Sequence, residues 1–234
     1  DCGFFYGVPN SQNPSGITMS ESRRLKIIEI AEKYDLLIVE DSPYREVRFE
    51  GEPRRTMCEL DHTGRVISLF TFSKILAPGF RVGWVVGNPI LLDRIVMAKQ
   101  TSDLCTSPFV QRIIARYIEK GLLEKNLKKT VELYRTRRDA MLEALRKNMP
   151  DTIKWTEPQG GLFLFLTLPE GFDADIIFRK SIEQNVAFVS GSTFFCNNTG
   201  KNTMRLNFSF SNNYEIEEGI RRLAEVIRGE MKKR

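Results

Sequence analysis

The sequence predicts an α/β protein, with a mostly parallel sheet in its first part and a smaller α+β domain at its C-terminal end. Three short runs, residues 36–39, 66–72 and 82–86, are almost continuously apolar, which is typical of parallel strands covered on both faces. Stretches with helical periodicity separate and follow them. With 234 residues, 41% of them hydrophobic, the chain can form one large core or two modest ones, and wholesale disorder is excluded.

The chain begins with a strand and a helix. Residues 4–8 form an apolar run that ends in a loop rich in Pro, Asn and Ser, which is the pattern of a buried strand entering a turn. A helix is predicted next, because Thr18 and Glu21 have the spacing of a capping box and apolar residues recur at three- and four-residue steps. We expect this helix to end near Asp35, just before the next apolar run.

The second part of the chain has a different order of elements. Residues 122–149 carry one long amphipathic stripe, which predicts a helix that connects two domains. After Pro150 the pattern is strand, helix, strand, strand, helix, over residues 162–168, 173–184, 186–189, 204–210 and 214–228. We therefore expect a large domain in residues 1–121, an interdomain helix in residues 122–150 and a small domain in residues 151–234.

Composition narrows the possible partners. No apolar run reaches the roughly 18 residues of a membrane span, so no membrane is expected. The net charge is +5, but basic and acidic residues are interspersed, which favours solvated helix faces over nucleic-acid binding. With a single histidine, His62, and no C-x-x-C pair, we expect no metal site. The widely spaced cysteines fit reduced thiols in the cytoplasm: Cys2, Cys58, Cys105 and Cys196.

Polar residues collect where the predicted strands end. Ligands of parallel sheets bind beyond the carboxyl ends of the strands. The candidates at this edge are Asp41, Tyr44, Thr71, Ser73, Lys74 and Arg81. Hydroxyls beside an arginine suit a small phosphate, and a neighbouring lysine suits Schiff-base chemistry. The glycine-rich signatures of dinucleotide and P-loop sites are missing from the sequence.

Four motifs in order carry a family resemblance: N-P-S-G at 13–16, D-S-P-Y at 41–44, T-F-S-K-I-L-A-P-G-F-R-V-G at 71–83 and M-R-L-N-F at 204–208. The chain resembles class I/II pyridoxal-phosphate aminotransferases of fold type I, nearest to the 2-aminoadipate and kynurenine branch. The resemblance implies ping-pong transfer of an amino group from an L-amino acid to a 2-oxo acid, with pyridoxal 5'-phosphate as cofactor. It also implies a homodimer, and a chain that lacks roughly the N-terminal 40% of the family's length.

The resemblance assigns roles to the residues around the cofactor ring. Lys74 resembles the lysine that forms the Schiff base and moves the proton. Asp41 resembles the partner of the pyridine nitrogen. Tyr44 and Asn13 resemble the two donors to the phenolic oxygen, and Asn13 could also touch the substrate carboxylate.

Further residues are matched to the phosphate and the substrate. Thr71, Ser73 and Arg81 resemble the phosphate cup, with Thr71 where the family usually has serine. Arg205 resembles the arginine that clamps the substrate α-carboxylate through a planar two-point contact.

The same motifs are compatible with three other functions. Another reaction of the same cofactor, such as a β-lyase or decarboxylase reaction, would use the same fold. The aminotransferase-like domain of some transcription regulators is a ligand sensor, and a truncated product without catalysis would also keep these motifs.

Overall fold

The computed structural model describes residues 3–197 and 199–233, so Cys2 lies outside the described residues. Contacts divide the chain into two compact units. The first comprises residues 1–10 and 18–130, and the second comprises residues 11–17 and 131–234. The short segment 11–17 therefore belongs with the C-terminal part of the chain.

The first unit contains a four-stranded sheet. Its strands are β1 (Phe4–Gly7), β2 (Leu37–Asp41), β3 (Val66–Thr71) and β4 (Gly83–Val86). They lie in the order β1-β2-β3-β4; the first three are parallel and β4 is antiparallel to β3. The prediction of a mostly parallel sheet in an α/β fold is confirmed.

One face of this sheet is covered by two helices, α1 (Glu21–Lys33) and α2 (Met57–Leu60). A core forms between them and the sheet, with these buried members: Ile28, Ala31, Ile38, Met57, Leu60 and Val66. On the opposite face, Phe4, Tyr6 and Leu37 are each more than one third exposed. In the described part of the chain, the expectation that both faces are covered therefore fails at β1, at the start of β2 and at β4, where Trp84 and Val86 are also more than one third exposed.

The start of α1 differs from the prediction. Ser20, not Thr18, is the N-cap, and its hydroxyl accepts a hydrogen bond from the backbone N–H of Arg23. The Glu21 carboxylate instead pairs with Arg55 at 2.6 Å. Sequence spacing suggested a capping box two residues too early, because Thr18 and Ser20 are both suitable cap residues.

Helices complete the first unit and lead into the second. A 3-10 turn (Pro78–Phe80) precedes β4, and α3 (Pro89–Asp103) and α4 (Pro108–Glu119) follow it. The predicted long helix is α5 (Leu122–Asn148), which crosses from the first unit into the second at Val131. Its buried residues all lie in its second half, at Arg138, Met141, Leu142, Ala144 and Leu145.

The second unit contains an antiparallel sheet and two helices besides α5. Its further elements are β5 (Lys154–Trp155), β6 (Phe163–Thr167), α6 (Ala174–Glu183), β7 (Val189–Ser190), β8 (Thr203–Asn207) and α7 (Asn213–Met231). The strand order is β5-β6-β8-β7. The α+β prediction holds, although the two-residue strand β5 was not predicted and β7 begins where a strand was expected to end.

Candidate active site

The side chain of Asp41 lies at the carboxyl end of β2 and is held by a tyrosine of the neighbouring strand. Tyr6 donates its hydroxyl hydrogen to Oδ2 of Asp41 at 2.6 Å. Partial burial, this hydrogen bond and the negative charge of Asp41 together raise the pKa of Tyr6 to about 12. Tyr6 was not among the predicted site residues, because its position on the strand beside β2 is its only signal in the sequence.

The register of the strands places the side chains of Tyr6, Asp41 and Thr71 on one face of the sheet. Tyr6 lies opposite Val39, and Asp41 lies opposite Leu69. Because side chains alternate along a strand, Tyr6, Asp41 and Thr71 all project from the face that α1 and α2 leave uncovered. Two of the predicted strand-end residues are thereby placed on a common surface.

Tyr44 lies in the turn after β2 and is buried, with 6% of its surface exposed. Tyr44 also contributes to the raised pKa of Tyr6, after burial and Asp41. Tyr44 follows Asp41 by three residues in the sequence, and its role toward a cofactor stays a prediction.

Thr71, Ser73 and Arg81 form a cluster of hydrogen-bond donors after β3. Ser73 Oγ accepts from Thr71 Oγ1 at 3.0 Å and from Arg81 Nη1 at 3.4 Å, and the Ser73 backbone N–H donates to Thr71 Oγ1 at 3.0 Å. Arg81 has a left-handed φ of 52°, and its Nη1 also donates to the carbonyl of Pro78. Two hydroxyls, a backbone N–H and a guanidinium at one point can bind a phosphate.

Lys74 lies in the turn that joins β3 to the 3-10 helix. Its side chain is half-buried and is followed by the buried Ile75. Among residues 3–197 and 199–233, no hydrogen-bond or ion-pair partner holds its ammonium group. An amine without a partner at this edge of the sheet is free to react or to bind an anion.

Two further predicted residues meet within the second unit. Arg205 Nη1 of β8 donates to Asn13 Oδ1 at 2.8 Å. The guanidinium carbon of Arg205 lies 4.1 Å from the centre of the Phe163 ring and 5.3 Å from that of Phe194. Because a guanidinium only donates, the amide oxygen of Asn13 must face it, which leaves Nδ2 of Asn13 as a donor.

Close backbone approaches bring Asn13 to Arg205. Gly16, with φ of +71°, lies so near the backbone that a Cβ would come within 2.5 Å of the Phe163 carbonyl oxygen. Gly161, with φ of +78°, would place a Cβ 2.6 Å from the Cβ of Ser11. Both conformations and both spacings require glycine.

Glu40 precedes Asp41 but has a different environment. It is fully buried, accepts hydrogen bonds from the Met57 backbone N–H at 2.9 Å and the Ser68 hydroxyl at 2.6 Å, and lies 3.7 Å from Arg24. Glu40 therefore anchors the start of α2 to the sheet and is not available to a ligand.

The buried Arg24 of α1 joins several segments. Its guanidinium donates to the backbone carbonyls of Pro9, Met19 and Arg55 and to Asn10 Oδ1. These acceptors include both sides of the loop that carries residues 11–17. Arg24 was not predicted as a structural residue, because the pattern of a basic residue on a helix indicates a solvent-exposed position.

The described residues also bear on metal binding and on membrane insertion. No group of three or more His, Cys, Asp and Glu side chains there could hold a metal ion. In the same residues, every helix is too short or too polar to cross a membrane.

The α/β fold with its mostly parallel sheet is shared with pyridoxal-phosphate-dependent aminotransferases of fold type I, as the similarity to their solved structures shows. The model of one family, aminotransferase class I and II, matches residues 7–223. The chain belongs to this family.

Relatives with known or assigned activities are similar over nearly the whole chain. Aromatic-amino-acid aminotransferase 1 of Thermococcus litoralis is 51% identical over 228 residues, which cover 97% of this chain and 55% of that protein. The 2-aminoadipate transaminase of Thermus thermophilus is 38% identical over 231 residues, 97% of this chain and 57% of its own length. The chain thus spans about half the length of the curated relatives it matches.

A solved structure shows the same fold. The kynurenine aminotransferase of Pyrococcus horikoshii, crystallised with PMP, KYN and KYA, superposes with a TM-score of 0.96 at 48% identity. The match covers 99% of this chain and 57% of that one.

Proposed function

We propose that this protein is an aminotransferase that moves the amino group of an L-amino acid to a 2-oxo acid, with pyridoxal phosphate as its cofactor. One observation carries the proposal: an aspartate, a cluster of donors and a lysine amine that has no partner among the described residues lie at or just after the carboxyl ends of two neighbouring strands. Family membership and the names of the relatives, which act on aromatic amino acids, 2-aminoadipate and kynurenine, support it.

The donor groups fit the cofactor's phosphate. Ser73 Oγ already accepts two hydrogen bonds, from Thr71 and from Arg81, so a phosphate oxygen in its neighbourhood would meet the same donors. Thr71 supplies the hydroxyl that the family usually takes from serine. In this proposal the cluster anchors the phosphate through charge-assisted hydrogen bonds.

Lys74 and Asp41 would act on opposite ends of the cofactor ring. Bound pyridoxal phosphate supplies an electron-accepting ring that stabilises negative charge at the substrate α-carbon and stores the amino group between two substrates. The Lys74 amine would hold the cofactor covalently and then move a proton at the substrate α-carbon. The Asp41 carboxylate would keep a proton on the ring nitrogen, because an anion beside that nitrogen favours its charged form.

Arg205 and Asn13 would bind the substrate. A planar guanidinium fork matches a carboxylate, so Arg205 would hold the α-carboxylate, while the rings of Phe163 and Phe194 keep the fork in place. Asn13 is fixed through its Oδ1 and would use Nδ2 to donate to the cofactor's phenolic oxygen or to the substrate.

A second copy of the chain is the partner we propose. Ile90 and Met97 lie seven residues apart on one face of α3, and Phe109 and Ile113 lie four apart on one face of α4. All of them are exposed apolar side chains. Such surface rows are typical of subunit interfaces.

We also propose a cytoplasmic location. The described cysteines, Cys58, Cys105 and Cys196, are free thiols. Burial and the nearby charge of Glu40 raise the pKa of Cys58, which keeps its thiol protonated. Unpaired thiols are typical of a reducing compartment.

Substitution of Lys74 tests the proposed function. In the protein loaded with pyridoxal phosphate, Lys74→Ala should abolish the visible absorption band of the covalently held cofactor. It should also lower the rate of amino transfer about 10²–10⁴-fold, because the amine that moves the proton is gone. Absorbance, circular dichroism and a pyridoxamine phosphate assay measure these effects.

Lys201→Ala, at an exposed lysine, is the matched control and should leave band and rate unchanged. Full transamination by the Lys74→Ala protein would contradict the assignment. Release of pyruvate or carbon dioxide without pyridoxamine phosphate would favour the lyase or decarboxylase alternatives, and tight cofactor binding without turnover would favour a ligand sensor.

A further inference from the structure

We propose that Tyr6 is a positioning residue that fixes the carboxylate of Asp41 for its contact with the cofactor ring. The inference rests on the proposed function, since it assigns a role toward the group that Asp41 would bind. Tyr6 itself is not placed in contact with the cofactor or substrate; its effect is exerted through Asp41.

Geometry is the first support. The hydroxyl of Tyr6 lies 2.6 Å from Oδ2 of Asp41, within the range of a short hydrogen bond between a hydroxyl and a carboxylate. Over the described residues, no other hydrogen bond holds the Asp41 side chain. A carboxylate at the end of a strand can rotate about its side-chain torsions, and a single anchored oxygen restricts that rotation. Oδ1 then remains for a second partner.

Strand pairing is the second support. The Cα partner of Tyr6 on β2 is Val39, two residues before Asp41 on the same face of the sheet. The parallel register therefore fixes the distance from the Tyr6 ring to Asp41, because both residues lie on directly paired strands. This makes the contact a property of the sheet and not of a mobile segment.

Ionisation favours the same arrangement. The raised pKa of Tyr6 means that its phenol keeps its proton throughout the physiological range and remains a donor. Tyr44 also contributes to the raised pKa of Tyr6. A neutral donor beside Asp41 stabilises the carboxylate without adding a competing charge.

The Tyr6 hydroxyl does not contribute to packing of the hydrophobic core. Tyr6 is 53% exposed, and the buried core of the first unit lies on the opposite face of the sheet. Phenylalanine keeps the ring and removes only the donor. The hydroxyl can therefore be deleted while the fold is retained.

The test is a double-mutant cycle in the cofactor-loaded protein, with Tyr6→Phe, Asp41→Asn and the combination of both. Tyr6→Phe should lower kcat on the order of tenfold and leave KM within roughly twofold of the wild-type value. It should also raise the Kd of the cofactor several-fold, because a charge-assisted hydrogen bond is lost. In the Asp41→Asn background the same change should have no further effect on kcat or on the Kd. Fluorescence titration gives the Kd without reference to activity.

Tyr214→Phe removes the hydroxyl of another exposed tyrosine and should match wild type in every measurement. The inference is overturned if Tyr6→Phe behaves like Tyr214→Phe, or if its effect is equally large with and without the Asp41 carboxylate. Absence of cofactor binding by the wild-type protein would overturn the proposed function and this inference together. Cofactor binding and turnover by the wild-type protein, with an unaffected Tyr6→Phe variant, would overturn this inference alone.

Discussion

Glu40 and Asp41 are adjacent carboxylates with opposite surroundings, because successive side chains of a strand point to opposite faces. Glu40 points into the core beneath α1 and α2, where it meets Arg24, while Asp41 points to the face that carries Tyr6. The sequence places both at the strand end but gives no sign of which face is covered. Their difference depends on tertiary packing, so it could not be predicted from the pattern alone.

Substitution of Arg205 tests the substrate-binding role at the level of one residue. Arg205→Lys should lower kcat/KM for amino acids about 10- to 100-fold, chiefly through KM, because a point charge replaces the planar fork. The contact with Asn13 Oδ1 and the stacking over Phe163 should weaken with it. Steady-state kinetics with a series of amino acids provides the measurement.

The matched control is Arg179→Lys, which changes an exposed arginine of α6 in the same unit. It should leave kcat and KM unaltered. An Arg205→Lys enzyme with wild-type kcat/KM would refute the proposed carboxylate contact.

Most helices and strands were predictable because their apolar pattern is local. The strands of the first unit, α5 and α7 all lie within a few residues of the predicted ranges. Finer details depend on competition between neighbours: Ser20 caps α1 in place of Thr18, and β5 forms only because it pairs with β6. The antiparallel direction of β4 is likewise a pairing choice that a continuous apolar run does not encode.

Arg24 links several elements, so its loss should affect more than α1. Arg24→Met should lower the free energy of unfolding by about 3–5 kcal/mol, because Glu40 would be left as a buried and uncompensated charge. Carbonyls on both sides of the loop carrying residues 11–17 would lose their donor as well. Chemical denaturation followed by circular dichroism measures the change.

Arg23→Met is the matched control for this experiment, since Arg23 is the preceding residue and is exposed. Its effect should stay within about 0.5 kcal/mol. Equal stabilities of the two variants would show that the buried pair does not hold these elements together.

At the scale of the whole molecule, the candidate residues are distributed over both compact units. Asp41, Tyr44, Thr71, Ser73, Lys74 and Arg81 belong to the first, and Asn13 and Arg205 belong to the second. Asn13 and Arg205 are 192 residues apart in sequence but share a hydrogen bond. Local periodicity cannot predict a contact between residues so far apart in sequence. The motifs that resemble those of aminotransferases indicated that both residues belong to the site, but not that they form a hydrogen bond.

The apolar rows on α3 and α4 yield the last prediction, which concerns assembly. Phe109 is 73% exposed beside Ile113, and burying such a side chain against a second copy would stabilise a dimer. Phe109→Glu should therefore weaken the dimer by roughly 30-fold or more, since it would place a charge in an apolar interface. Analytical ultracentrifugation over a concentration series measures the shift toward monomer.

Phe210→Glu alters a phenylalanine that is 89% exposed in the other unit, and it should leave the association unchanged. If both variants sediment like wild type, the partner surface lies elsewhere on the molecule, whereas dissociation by Phe210→Glu alone would move the proposed interface to the second unit.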